Sequence, residues 1–346
     1  MTNQHDIDDS AESDSSVGHS ADKTTDGDNN GTKRARRLPG CLLKIGLLIG
    51  AIMIAGFLLN RYSRPEFDPD SIRSVTVTQA ENDGTANGLP ENAITRGYTQ
   101  ATFDNADHPL EPMMEIAKAG LAHIEATIDD YTYTMVKQTR YNEKLNDETH
   151  IFCKIRHEKN IGGDDEIPFS VYTRFVAPQK KLGQEGIWIK GRNDGKLIAH
   201  PPSGWTNRIR LTLEPTGMIA MSGELHPITE IGLKNLVRTL IKTGTGDLKH
   251  QECNVQIQRD VEINGVKCTL LQVTHPKRRE HFEFHIAKIY IDDQRNIPIA
   301  YEGFVWPKKE GDPPVLQEKY YFTDIKINVG LKDIDFDPSN PDYDYP

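Results

Sequence analysis

The sequence predicts an α+β fold, in which one curved antiparallel sheet carries two helices and follows a disordered tail and a single transmembrane helix. Short runs of alternating apolar and polar residues recur from Tyr131 to the carboxyl end, and turn-forming residues separate them. That pattern is typical of strands joined by short turns, which pair antiparallel and curve into one sheet. One uninterrupted apolar run near the amino end predicts the transmembrane helix.

The composition excludes several classes of protein. The 346 residues carry 41 Lys and Arg against 51 Asp and Glu, so the formal net charge is −10 at pH 7. A nucleic-acid binder needs a basic surface that displaces counterions from phosphates, and we therefore expect no nucleic-acid partner. The 4 Cys are too few for a small disulfide-linked scaffold.

The amino-terminal part predicts a tail and a membrane anchor. Residues 1–40 are mostly polar and acidic and end in a basic cluster at 33–37, a composition that is typical of disorder. Residues 41–60 are predicted as the anchor, because this run is apolar apart from Lys44 and spans roughly 28 Å as a helix, about the thickness of a bilayer's hydrocarbon core. The excess of Lys and Arg before the anchor places the amino terminus in the cytoplasm. The predicted location is the inner (cytoplasmic) membrane, with a single pass and a periplasmic or extracytoplasmic carboxyl domain.

Beyond the anchor, the composition changes twice. Residues 61–107 are rich in Gly, Asn, Asp and Thr and predict a flexible linker, which leaves residues 108–346 as the outer domain. Two helices are predicted in this domain. The first follows Pro109, where apolar residues recur at the helical period. The second is predicted over 227–242, with Thr229 as its N-cap.

Alternating patterns predict nine or ten strands in the same domain. The strongest local signal is Asn264 followed by Gly265, because a two-residue hairpin turn needs positive φ at both positions. In that hairpin Val261 lies opposite Cys268, so Cys253 and Cys268 are not cross-strand neighbours and are predicted to be buried thiols. The predicted strands are 131–141, 149–156, 169–176, 186–190, 196–199, 255–263, 266–274, 281–291, 298–305 and 316–327.

Several segments resemble those of known families. Segments 289–293 and 296–299 resemble a hairpin of the LolA-like outer-membrane lipoprotein carriers. The carboxyl end is similar to the closing strand and tail of those carriers at 320–328, 330–331 and 335–336. The whole domain from His108 is more similar still to a bacterial family without an established activity, domain of unknown function 1571. The motifs that carry this second resemblance are 194–197, 227–232 and 273–276.

The LolA-like resemblance implies a half-barrel, an incomplete antiparallel barrel closed by a helical lid, that encloses an apolar cavity for acyl chains. The predicted function is therefore non-enzymatic binding of a lipid or a lipoprotein acyl chain, with membrane lipid, a lipoprotein or envelope proteins as partners. Two alternatives stay open. One is an envelope scaffold or interaction module with a filled core. The other is a hydrolase that acts on envelope material, for which Asp165 and His281 are the residues to test.

Nine aromatic residues are the candidate ligand-lining residues, because they face the inside of the sheet if it curves into a half-barrel. They are Tyr131, Tyr133, Phe169, Phe175, Trp188, Phe282, Phe284, Tyr320 and Phe322. Ordinary core packing explains the same aromatic stripe and stays open as the alternative. Lys277, Arg278 and Arg279 form the basic cluster of the outer domain and are the candidate contacts of an anionic headgroup.

No catalytic motif, metal site or cofactor is predicted. His281 and His285 lie four residues apart, which on a strand is roughly 13 Å and too far for both to bind one metal ion. Asp333, Asp335 and Asp337 imitate the start of a calcium-binding loop, but the sixth position of that loop lacks the required Gly. These three residues are therefore predicted to belong to a solvated acidic tail.

Overall fold

The computed structural model describes residues 75–79, 93–162, 165–202 and 209–346. Over these residues the chain forms one large sheet, a small two-stranded sheet and three α-helices. The helices are α1 (Gln100–Asp104), α2 (Leu110–Thr127) and α3 (Leu233–Asp247). The predicted α+β class is confirmed, and the first predicted helix corresponds to α2.

Fifteen strands are described. They are β1 (Val77–Gln79), β2 (Asp130–Tyr141), β3 (Lys144–Leu145), β4 (Thr149–Arg156), β5 (Lys159–Gly162), β6 (Asp165–Ile167), β7 (Ser170–Ala177), β8 (Glu185–Ile189), β9 (Leu197–His200), β10 (Leu211–Leu213), β11 (Asn254–Ile263), β12 (Val266–Thr274), β13 (Ile286–Asp292), β14 (Pro298–Val305) and β15 (Val315–Ile327). Ten of them correspond to the predicted strands. The sequence analysis missed β1, β3, β5, β6 and β10, which are all short.

The large sheet is open and antiparallel. Twelve of its 13 strands follow the order β1-β11-β12-β13-β14-β15-β2-β4-β7-β8-β9-β10. The thirteenth, β3, pairs with β2 beside this path. Strands β5 and β6 form the small separate sheet. Since β15, the last strand in sequence, pairs with β2, strands that are far apart in sequence meet in the middle of the sheet.

The predicted location has to be corrected. Within the described ranges, no helix combines the length and the apolar composition that a membrane crossing requires. Even α2, an 18-residue helix, carries charged residues along its exposed side. The prediction of a single-pass inner-membrane protein is therefore wrong by this finding. Residues 41–60, on which that prediction rested, and residues 1–40, the predicted tail, lie outside the described residues.

Parts of the predicted linker 61–107 have regular structure. Strand β1 pairs antiparallel with β11, and Phe103 of α1 is buried in the core. The Thr76 backbone N–H donates to Oδ1 of Asn264 at 2.9 Å, and the Asn264 N–H donates to the Thr76 carbonyl at 3.0 Å. The folded unit therefore begins before the predicted boundary at residue 108.

The hairpin prediction is confirmed. Asn264 and Gly265 have φ values of 51° and 79°, the left-handed values that this two-residue turn requires. Val261 lies opposite Cys268, as expected. Cys153, Cys253 and Cys268 are free and buried, and burial raises the pKa of Cys253 to about 11 and that of the other two thiols to about 12.

One predicted strand starts too early. Residues 281–285 alternate like a strand, but β13 begins only at Ile286. Residues 275 and 285 close a loop instead, because the His275 N–H donates to the His285 carbonyl at 2.8 Å. Phe282 then turns inward and stacks on the buried His275 ring, with 3.8 Å between ring centroids. Ring stacking, rather than a continuous ladder of backbone hydrogen bonds, therefore holds residues 281–284 in position.

The sheet has two differently covered faces. Helices α2 and α3 pack on one, here called the helix face, through apolar residues such as Ile124 and Val237. The opposite face, here called the tail face, is covered by the carboxyl-terminal residues 331–345. Phe336 is buried there, and the ring of Tyr343 stacks on Tyr172 with centroids 4.1 Å apart.

The predicted solvated acidic tail is correct for the exposed side chains of Asp333 and Asp337 but wrong for the segment as a whole, which packs on the sheet. Asp335 accepts a hydrogen bond from Lys154 at 2.6 Å, and Asp333 accepts one from Arg156 at 2.7 Å. Asp337 accepts a hydrogen bond from the Ser339 backbone N–H, which stabilises a turn. Asp333 and Asp335 thus fasten the chain end to the sheet. The helix face remains as the face with room for a site.

The start of α3 differs from the prediction. A short 3-10 turn covers 228–230 and α3 begins at Leu233, so Thr229 is not its N-cap. The Leu233 N–H, which has no partner inside the helix, donates instead to Oη of the buried Tyr131 at 2.8 Å. Gly232 makes this approach feasible: its φ is 124°, and a Cβ there would lie 3.0 Å from Oη of Tyr131.

The other end of α3 is fixed by a close helix contact. A Cβ on Gly244 would lie 2.5 Å from Sδ of Met114 on α2, so any larger residue there would force the Met114 side chain to move. Between Gly232 and Gly244, α3 leaves a gap above the sheet. That gap holds the candidate site.

Gly232→Ala is expected to lower the free energy of unfolding by about 2 kcal/mol, because an L-residue at this φ is strained and the new methyl group displaces Tyr131. Urea denaturation of the full chain measures the loss. Gly246→Ala is the matched control, since a Cβ there meets nothing within 4 Å, and it should leave stability unchanged or raise it by up to about 1 kcal/mol. Equal unfolding midpoints for Gly232→Ala and the natural chain contradict the assignment.

Candidate functional site

A cavity of about 570 Å³ lies between the helix face and α3. Its volume falls within the ~300–1,000 Å³ that is typical of small-molecule sites. The sheet contributes apolar residues from seven strands, β14, β15, β2, β4, β7, β9 and β10, and α3 contributes Leu236 and Leu240. Residues between β10 and α3 form the remaining wall. The apolar sheet residues include Met135, Ile151, Phe175, Leu197 and Phe322.

The cavity reaches the surface on the side of the β10–α3 segment. Ile219 lines the cavity and is 70% exposed, and its neighbour Met218 is 90% exposed. By contrast, Tyr133 and Phe322 at the sheet are buried. The cavity therefore runs from an apolar opening to a buried aromatic floor.

Five of the nine predicted aromatic residues line this cavity. They are Tyr133, Phe175, Phe284, Tyr320 and Phe322. Tyr133 and Phe322 meet edge to face with ring centroids 5.1 Å apart, and Tyr320 stacks on Tyr301 at 6.4 Å. The structure thus brings these five together around one space, although they come from three strands and one loop.

The other four predicted residues pack outside the cavity lining. Tyr131 lies under the start of α3, where its hydroxyl binds the helix. Phe169 and Trp188 pack edge to face at 6.0 Å, and the Trp188 indole N–H donates to the Gly195 carbonyl at 2.9 Å. Phe282 stacks on His275, as described above. Core packing accounts for the placement of all four.

The basic cluster also lies outside the cavity lining. Arg279 forms two hydrogen bonds with the carboxylate of Glu252, at 2.6 and 2.7 Å. Lys277 and Arg278 are exposed on the same loop. A contact between these residues and an anionic headgroup stays a prediction, and it would take place on the surface rather than in the cavity.

Charged residues border the cavity in two groups. In the first, Glu224 forms ion pairs with Lys137 and with Lys181, the latter at 3.5 Å. Lys137 extends from β2, and Glu224 belongs to the segment between β10 and α3. The pairs thus bind the wall segment to the sheet, and they neutralise charge that would otherwise face an apolar space.

The second charged group centres on His226. Its Nε2 lies 3.0 Å from Oε2 of Glu318, and its Nδ1 lies 3.4 Å from Glu230. The hydroxyl of Tyr320 donates to the same Glu318 oxygen at 2.9 Å. The hydrogen bond to Glu318, together with the charges of both carboxylates, raises the pKa of His226. The His226 imidazole therefore joins the wall segment to β15 through Glu318.

A third polar residue, Glu185, lies at the cavity edge but is directed to the tail face. It is 2% exposed and accepts hydrogen bonds from Oη of Tyr172 at 2.7 Å and from the Asp344 N–H at 3.1 Å. Burial raises the pKa of Glu185 above the ordinary carboxyl value. Its hydrogen bonds connect the cavity wall to the carboxyl-terminal segment.

Sequence reasoning missed the residues that close the cavity. Leu236 and Leu240 belong to a predicted helix, and their spacing of four residues signals one helical face. Glu224 and His226 lie in a segment without periodicity, and their partners are 87 and 92 positions away in sequence. No local pattern identifies such pairs.

The described residues contain no group of three or more His, Cys, Asp or Glu that is arranged to hold a metal ion. His281 stacks on His250, with ring centroids 3.6 Å apart. Asp165 lies on β6 of the small sheet, whereas His281 lies in the loop before β13. The structure therefore places the two residues suggested for a hydrolase on different elements, and His281 lies outside the cavity lining.

Comparisons with known proteins give a family and several similar folds. Residues 128–345 match the model of a family described as "Protein of unknown function (DUF1571)". A search of the curated proteins finds no match. At TM-scores near 0.3, the solved structures with similar folds assign no function.

Three of these structures each align with 64% of this chain. The first is a DUF1329 family protein from Desulfovibrio piger, at 14% identity, 97% coverage of that chain and a TM-score of 0.29. The second is a LolA superfamily protein from Nitrosomonas europaea, at 13% identity, 97% coverage and a TM-score of 0.26. The third is an uncharacterized conserved protein from Thermus thermophilus, at 10% identity, 91% coverage and a TM-score of 0.32.

His226 is expected to titrate above the ordinary histidine pKa of about 6.5, because Glu318 and Glu230 favour its charged form. The stabilisation from this contact is complete below the ordinary pKa and is lost as the pH rises through the raised one. A titration of the histidine ring protons by NMR measures it. Glu318→Gln should lower the pKa of His226. A His226 pKa at or below the ordinary value sinks the assignment.

Proposed function

We propose that this chain, which belongs to the family of proteins of unknown function DUF1571 as its motifs predicted, binds the alkyl chain of a lipid or of a lipoprotein in the cavity beneath α3. The observation that carries the proposal is the cavity of about 570 Å³ with its apolar and aromatic lining. The open antiparallel sheet serves as the cradle of a half-barrel, and α3 with the β10–α3 segment serves as its cover.

The lining favours an alkyl chain over a polar ligand. Burying one methylene group stabilises a complex by about 0.8 kcal/mol, so a chain of several carbons gains enough from this cavity to bind without many hydrogen bonds. The aromatic floor, with Tyr133 and Phe322 edge to face, offers flat apolar surfaces to such a chain. Core packing alone would fill this space with side chains, and an interior is normally packed without voids of this size.

The charged residues support a position for the polar end of the ligand. Ile219 and His226 are both exposed and both line the cavity, so its opening joins an apolar edge to a polar one. A ligand with a polar head and an apolar tail matches this order, with the head at the opening and the tail toward Phe322. The acyl chains of lipids and of lipoproteins share this chemistry.

The two alternative functions have less support. An interaction module with a filled core needs no cavity of this volume. A hydrolase needs groups that converge on a substrate, yet Asp165 and His281 lie on different elements, and His281 lies outside the cavity lining. The proposal is therefore a binding protein.

A fluorescent fatty-acid probe tests the proposal on the full chain. The natural chain should bind the probe and release it on addition of hexadecanoate, and native mass spectrometry should detect a co-purified lipid. Ala199→Trp, which places an indole inside the cavity from β9, should weaken probe binding at least tenfold because it occupies the volume that the chain needs.

Ala126→Trp is the matched control, since Ala126 is exposed near the end of α2 and the change adds the same volume outside the cavity. It should bind the probe like the natural chain. Thermal unfolding of both variants checks that each is folded at the temperature of the assay. Probe binding that is equally strong in folded Ala199→Trp and in the natural chain would falsify the proposed site.

A further inference from the structure

A second, smaller cavity adjoins the first. Its volume is about 70 Å³, and it lies between α2, α3 and the strands β12 to β14. Its lining is mostly apolar and includes Met113, Ala117, Leu271, Ala287 and Ile289, and its polar members are Thr243 and Asp247. For comparison, one water molecule occupies about 30 Å³ in the liquid, and small apolar cavities in proteins stay dry. The second cavity therefore suits a few carbon atoms and no charged group.

Three residues line both cavities. Leu240 and Thr243 of α3 and Phe284 of the loop before β13 belong to the wall of each. On α3, Leu236, Leu240 and Thr243 are among the residues that line the main cavity. The second cavity is lined by residues that directly follow two of these in sequence, Val237 and Gly244. The two cavities thus lie side by side under one helix and are separated by side chains only.

These separating side chains are suited to move apart. Leu240 and Phe284 are only partly buried, so neither is locked inside a packed core. Thr243 donates a long hydrogen bond of 3.4 Å to Glu283, which bridges α3 and the loop at this end of the main cavity. A rotamer change of Leu240 or Phe284 connects the two spaces without a backbone movement.

The geometry points to one continuous site for a long, unbranched alkyl chain, in which the second cavity receives the terminal carbons of the chain. We infer that this cavity sets the length of chain that the protein prefers. The inference rests on the proposed function, because it takes the main cavity to hold the rest of the same chain. The small, mostly apolar second cavity favours an unbranched alkyl end, and the main cavity retains the polar head at its opening.

A series of straight-chain saturated fatty acids from 8 to 18 carbons tests the inference by displacement of the fluorescent probe from the full chain. For the natural chain, the affinity should rise about fourfold with each added methylene until both cavities are filled. Ala117→Leu places extra carbons in the second cavity from α2. It should leave the affinity for the shortest acids unchanged and weaken the binding of the longest acids at least tenfold.

The chain offers a matched control. Ala119 lies two residues further along α2 and is exposed, so Ala119→Leu adds the same group outside the cavity and should reproduce the natural length profile. If Ala117→Leu proves unfolded by circular dichroism, Ala287→Val fills the same space from β13 and takes its place.

The outcomes separate the two levels of the account. A length profile that Ala117→Leu leaves unchanged, or a loss that is equal for short and long acids, overturns the inference and leaves the main cavity as the binding site. Failure of every acid to bind the natural chain overturns the proposed function itself. Selective loss for the long acids supports both.

Discussion

The hydrogen bond from the Leu233 N–H to the hydroxyl of Tyr131 holds the start of α3 above the sheet, and the geometry of the site depends on it. Tyr131 is fully buried, and Gly232, the residue before Leu233, has a φ of 124°. The Tyr131 hydroxyl and the Leu233 N–H are thereby held against each other. In a dry environment, an unpaired hydroxyl or N–H costs roughly 1–3 kcal/mol, which keeps the pair together. At the other end, Gly244 rests on Met114. Fixed at both ends, α3 spans the gap that forms the cavity.

The two faces of the sheet are covered in different ways. On the tail face, Tyr343 stacks on Tyr172, and Glu185 accepts hydrogen bonds from Tyr172 and from the chain end. That face is packed, and the carboxylate of Glu185 is paired there. On the helix face, the ion pairs of Glu224 and the contacts of His226 fasten a segment without regular structure over the cavity edge. The tail face is therefore filled by side chains, whereas the helix face contains the cavity.

Local patterns predicted the elements, and distant contacts decided how those elements meet. The strands and the Asn264–Gly265 turn follow from alternation and from positive φ, which are properties of neighbouring residues. Thr229 looked like a helix cap, but the true partner of the helix start, Tyr131, lies 102 positions earlier in the chain. Residues 281–285 alternate like a strand, yet stacking of Phe282 on His275 turns them into a loop.

The aromatic prediction shows the same limit: alternation places Tyr131 and Tyr133 on one face, but only the position of α3 determines which of them meets the cavity.

The most direct test of the central claim is an isotope-filtered NOE measurement on the full chain with labelled methyl groups and bound unlabelled hexadecanoate. The account predicts contacts from the alkyl chain to the methyl groups of Met135, Leu236 and Leu240, which line the gap under α3. Ile189 and Ile198 belong to the tail-face cluster and should show none. Contacts to those two isoleucines without contacts to the first three residues would place the ligand on the wrong face and contradict the account.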